Sequence, residues 1–159
     1  MRKQPANKLS RKGLTVWRLY GILQTLLALL PAAGAGVLAY IFDWHWWVYV
    51  AASAAVIIFG ILFINLFPRL RWSRWRYEVR ETEIELQHGI FIVKRTLIPM
   101  VRVQHVDTAQ GPILKRYVLS AISISTAATV HSIPMLEAGE ADELRNRISA
   151  LAKVAEDDV

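Results

Sequence analysis

The order of apolar and polar positions divides the chain where its period changes. Residues 19–42 and 46–67 are two apolar runs without a charged side chain. At ~1.5 Å of helical rise per residue, each is long enough to cross a hydrocarbon core of ~30 Å. They predict a transmembrane helical hairpin over 19–67. Asp43, Trp44 and His45 separate the runs, and Tyr40, Trp46, Trp47 and Tyr49 flank the break with amphipathic rings suited to lipid headgroups. Pro31 precedes Ala32, Ala33, Gly34, Ala35 and Gly36 in the first run, and the second run offers Ala51 to Ala55. Small side chains permit close helix approach, so Gly34, Gly36, Ala51 and Ala55 are candidate helix-packing positions, in a tight helix pair or an oligomer contact, with simple membrane anchoring the plainer alternative. Pro68 is expected to end the second helix.

Beyond the runs the period falls to two. Trp75, Tyr77 and Val79 alternate with Arg74, Arg76, Glu78 and Arg80; after Glu81 and Thr82, Ile84 and Leu86 alternate with Glu83, Glu85 and Gln87. That is the pattern of a half-buried antiparallel hairpin. Gly89 permits another reversal, and short strands are expected at 90–93, 96–98, 101–103, 117–126 and 129–133. A helix over 137–153 closes the chain, with Ala141, Leu144, Ile148 and Leu151 on one stripe. The fold class is therefore an α+β membrane protein: a two-helix hairpin, then a bent sheet or partly open barrel capped by a C-terminal helix. The layout is a basic cytoplasmic tail (1–18), expected to be mobile over residues 1–13, the hairpin (19–67), a basic-aromatic junction (68–76), a small domain (77–153) and an acidic tail (154–159).

Charge decides what the net +6 means. Before Trp72 there are eight basic residues and one acid; from Trp72 onward eleven basic residues face twelve acids. The basic excess therefore flanks the hairpin, which disfavours nucleic acid and, by the positive-inside rule, predicts that both termini face the cytoplasm. A cleaved signal peptide competes for the start of the chain, but the apolar run continues through Val37, Leu38, Ile41 and Phe42 past the small residues that would mark its cleavage. There is no cysteine, hence no disulfide or thiolate chemistry.

Catalytic chemistry is not expected. His45, His88, His105 and His131 are far apart, Ser120, Ser123 and Ser125 lack an adjacent base, and Glu81, Glu83 and Glu85 read as solvated hairpin charge. No metal or cofactor is implied. The best contact candidates are basic. Arg69, Arg71, Arg74 and Arg76 interleave with Leu70, Trp72 and Trp75 at the junction, and Lys94 with Arg95 and Lys115 with Arg116 form pairs further on. An anionic headgroup or an acidic partner would suit them; orientation of the hairpin and solvated loop charge are the plainer alternatives.

Several phrases resemble the bacterial pleckstrin-homology (PH) domain family of small membrane proteins, its YdbS-like group. They are YEVRETEIELQHG at 77–89, RTLIPMVRVQHVDTAQ at 95–110, LKRYVLSAISISTA at 114–127, and the Ile-Pro and helix entry within 133–148. Val118 stands where the family often has glycine, so the backbone there is expected to differ. The resemblance implies that 77–153 is a PH-like barrel with a capping helix, tethered to the cytoplasmic face of a bacterial inner membrane. It further implies an adaptor or assembly module that binds another membrane protein, such as a larger relative with several PH domains, or a second copy of itself. A role in envelope stress or antimicrobial-peptide resistance would follow. The alternative is recognition of anionic lipid by the basic residues.

Overall fold

A computed structural model of the chain describes residues 4–157, so Arg2 and Lys3 of the expected basic tail and Asp158 of the acidic tail lie outside the described residues. The chain forms two units, one of residues 17–70 and one combining residues up to Val16 with Arg71 onward.

The first unit is the hairpin. Helix α1 (Arg11–Ile41) continues through Pro31. Helix α2 (Trp47–Gly60) passes through a π-helical segment, Ile61–Leu66, into α3 (Phe67–Arg74). Pro68 thus does not end the second helix. Proline lacks the N–H that would bond four residues back, and the wider π turn, in which Phe67 N–H reaches the Leu62 carbonyl, sets the ladder aside just before it. Within the hairpin the helices touch at Gly21 and Gly60. A Cβ on Gly21 would lie 2.1 Å from the Phe63 carbonyl oxygen, and one on Gly60 would lie 3.3 Å from Thr25 Cγ2. Around Gly34 and Gly36 there is nothing within 4 Å, and Ala51 and Ala55 are exposed.

The second unit holds two antiparallel sheets. In the first, β1 (Asn7–Lys8), β2 (Arg76–Val79), β3 (Glu83–His88) and β4 (Lys94–Pro99) lie in that order. The second contains β5 (Val103–Ala109), β6 (Leu119–Thr126) and β7 (Val130–Glu137). A short helix α4 (Pro112–Arg116) precedes β6, and α5 (Ala138–Asp157) packs on β5, β6 and β7. Tyr77, Ile84, Leu86, Ile98, Leu119, Ile122, Ile124, Ile133 and Ile148 form the buried core, and the sheets do not close into a barrel. Tyr77 Oη donates to Glu140 Oε1 at 2.5 Å, linking β2 to α5; burial and this carboxylate push the phenol well above its usual range.

Residues 5–16 belong to this domain instead of forming a mobile tail. Asn7 and Lys8 pair with Tyr77 and Arg76. Leu9 and Val16 are buried, Trp72 Nε1 donates to the Leu9 and Ser10 carbonyls, and Ser10 N–H donates to the Met135 carbonyl. A few apolar side chains entering an existing core, plus edge pairing of the backbone, offset the ordering that composition alone would disfavour.

Three local expectations change as well. Residues 90–93 form an exposed loop after Gly89 (φ 129) instead of a strand. The 101–103 segment is a 3₁₀ turn, Met100–Arg102, that opens β5. Val118 adopts φ 56, so the backbone keeps the left-handed geometry that favours glycine despite the β-branched side chain.

Candidate functional site

Period-two patterning puts Ile84, Leu86 and His88 on one face of β3, and His131 with Ile133 on one face of β7. Each histidine therefore extends a buried face toward the end of its strand, where the two sheets leave a cleft of ≈ 470 Å³. The cleft is lined by Arg71 and Trp75 from the junction, Leu86, His88, Lys94 and Thr96 from β3 and β4, and Thr129 to Ser132 with Pro134 from the β7 side.

The His88 ring stacks on Trp75 with centroids 5.9 Å apart and 24° between planes. Its Nδ1 is buried without a hydrogen-bond partner. Desolvation, followed by the charges of Lys94, Arg71 and His131, holds His88 below its ordinary pKa of 6.5. The cleft is thus a region of positive potential lined by hydroxyls and an indole, with no carboxylate among its lining residues. Among the described residues no three metal-ligating side chains gather.

Of the eight basic candidates, the cleft brings together Arg71 and Lys94. Arg74 donates through Nη1 to the Ile90 carbonyl, tying the 89–93 loop to the C-terminal end of α3. Arg95 is held 2.7 Å from Glu85, which also lies 3.4 Å from Arg80. Glu85 is only 4% exposed, so it is a neutralised interior charge and not the solvated one expected. Glu78, then Glu83 and Glu85, raise the Arg80 pKa. Arg76 pairs across the sheet with Gln87 and Lys8, Lys115 and Arg116 are exposed at the end of α4, and Arg69 is exposed on α3 in the hairpin unit.

His88, His131, Trp75, Thr96 and Ser132 were not among the sequence-derived candidates. The signal for the two histidines was their place two residues before or after core isoleucines and leucines; their convergence required the pairing of strands far apart in sequence.

The loop beside the cleft is apolar. Phe91 and Ile92 are 80% and 84% exposed, and Val93 separates them from Lys94.

Comparison with known proteins places these features in a family. Residues 14–152 match the family described as Bacterial PH domain. The chain is 52% identical over 159 residues, the full length of both proteins, to the UPF0699 transmembrane protein YdbS of Bacillus subtilis (strain 168). It is 30% identical over 73 residues to the UPF0699 transmembrane protein YdbT of the same organism, covering 45% of this chain and 15% of that protein. No solved structure matches. Two helices long and apolar enough to cross a bilayer, with a transmembrane relative matched end to end, make this a membrane protein. The chain belongs to the bacterial PH domain family.

Proposed function

We propose that this chain is a two-span protein of the bacterial cytoplasmic membrane whose PH-like domain engages the anionic inner leaflet. The observation that carries the reading is the 89–93 loop: it presents Phe91 and Ile92 to solvent, is held by Arg74, and is followed by Lys94. Exposed large apolar side chains beside cations suit a surface where lipid tails lie under phosphates, and each cation there contributes ~1 kcal/mol. The topology has its own support. Strand β1 precedes the hairpin and pairs with β2 after it, so both ends of the hairpin belong to one folded unit, which supports an even number of crossings by the chain between them. A cleaved signal peptide would strip Leu9 and Val16 from the domain core.

The test uses the absence of native cysteine. Ile92→Cys, labelled with an environment-sensitive dye in the full chain in nanodiscs, is expected to shift to the blue and to be quenched by brominated lipid when phosphatidylglycerol is present. Emission characteristic of water, indifferent to lipid charge and to bromination, would contradict the reading.

Assembly is the second reading, and the outward-facing glycines favour it. Gly34 and Gly36 are not used within the hairpin, which leaves their side of α1 open to a helix of another membrane protein or of a second copy. Crosslinking through cysteines at 34 and 36 in native membranes would give a dimer or a mixed adduct; monomer alone would count against it.

A further inference from the structure

The cleft between the sheet ends is built for more than general attraction to a charged surface. Cationic or titratable groups enter it from four elements: Arg71 from α3, Lys94 and His88 from the paired ends of β4 and β3, and His131 from β7. Thr96, Thr129 and Ser132 add hydroxyls. The His88 ring is positioned by Trp75, and its buried Nδ1 lacks a partner. Its volume of ≈ 470 Å³ falls within the ~300–1,000 Å³ typical of small-molecule sites, leaving room for an alcohol substituent beside an oxyanion.

We propose that this cleft binds a phosphate group, either inorganic phosphate or the phosphate of a lipid headgroup. Arg71 and Lys94 supply charge, the hydroxyls and an imidazole N–H donate to the oxygens, and Trp75 forms an apolar wall for whatever the phosphate carries. For the lipid source the site rests on the leaflet-engagement reading; for free phosphate it does not.

Proton linkage follows from the surroundings of His88. The groups facing it are Lys94, Arg71 and His131, all of which disfavour its protonation, and among the described residues no acid lines the cleft to oppose them. A bound dianion reverses that field and raises the His88 pKa. By linkage the anion then binds more tightly as pH falls, because the protonated ring is favoured only in the complex.

The experiment is histidine-detected NMR of the full chain in phosphatidylcholine nanodiscs, titrated with inorganic phosphate and, separately, with glycerophosphorylglycerol, a soluble diester headgroup. The expected result is a saturable shift of His88 and His131 resonances. Lys94→Ala should weaken binding about tenfold and Lys94→Arg should largely restore it. Sulfate, whose charge is constant near neutrality, should bind more tightly at pH 6 than at pH 8, and His88→Gln should flatten that dependence. Saturation by phosphate alone identifies the free anion as ligand, and saturation by the diester identifies the headgroup. No saturable shift with either, or one unchanged in Lys94→Ala, overturns the site. Phosphate binding without lipid-dependent emission from a dye at position 92 would remove the leaflet reading and leave the cleft standing.

Discussion

The two units spend their apolar side chains differently. In the domain, the buried residues come from both sheets, α5 and the segment before the hairpin: Leu9, Val16, Trp75, Leu86, Ile124, Met135 and Ile148 are each under a tenth exposed. In the hairpin, Leu27, Leu30, Val37, Val50, Ile57 and Ile61 are all more than half exposed, whereas Trp17, Ala39 and Pro68 are buried. The same residue types are thus addressed to the protein's own interior in one region and to lipid in the other. Since lipid is as apolar as leucine, burial cannot hold two membrane helices together, and close backbone approach must do so. That is why the glycines at the hairpin contact matter more than its leucines.

The largest expected effect separates the units from the domain side. Leu9→Ala should destabilise the domain by ~3 kcal/mol, as a truncated core residue would, although sequence reading puts Leu9 in a tail. Chemical denaturation in detergent followed by tryptophan fluorescence measures it; a change within error would mean that the segment is not part of the core.

Next comes the hairpin contact. Gly21→Ala pushes a Cβ against the Phe63 carbonyl and should cost ~2 kcal/mol, whereas Gly34→Ala meets nothing and should not weaken the hairpin. Steric-trap unfolding of the two variants in bicelles compares them directly. Equal loss at both positions would break the assignment of the helix contact.

The smallest effect concerns the domain backbone. Val118 sits at φ 56 with its side chain 60% exposed, so little packing compensates for left-handed strain. Val118→Gly should stabilise by ~1 kcal/mol, the strain relieved less the added entropy of the unfolded chain, as read from the denaturation midpoint.

Elements with one dominant local signal were legible in the sequence. The apolar runs gave both spans, the alternation around Glu81 and Thr82 gave the β2–β3 hairpin, and the stripe of Ala141, Leu144, Ile148 and Leu151 gave α5. What was missed depends on partners distant in the chain. Residues 5–16 look disordered until Met135, Trp72 and Tyr77 are brought to them. Glu85 looks solvated until Arg80 and Arg95 cover it. Pro68 looks like a stop because periodicity does not reveal a π turn. The candidate site was legible in part: Arg71 and Lys94 stood out as cations, but the histidines that line the cleft with them looked like isolated strand residues.

The segment before the hairpin and the domain after it form one unit, and the central proposal is that this unit lies on the cytoplasmic side with the turn outside. It is tested most directly by labelling single cysteines with a membrane-impermeant thiol reagent on intact cells. His45→Cys at the exposed turn and Glu81→Cys at the exposed β2–β3 turn serve as the pair, Asp43 being avoided because of its φ of 50. Position 45 is predicted to react from outside, and position 81 only after the cells are opened. Labelling of position 81 in intact cells, with position 45 protected, would contradict the account.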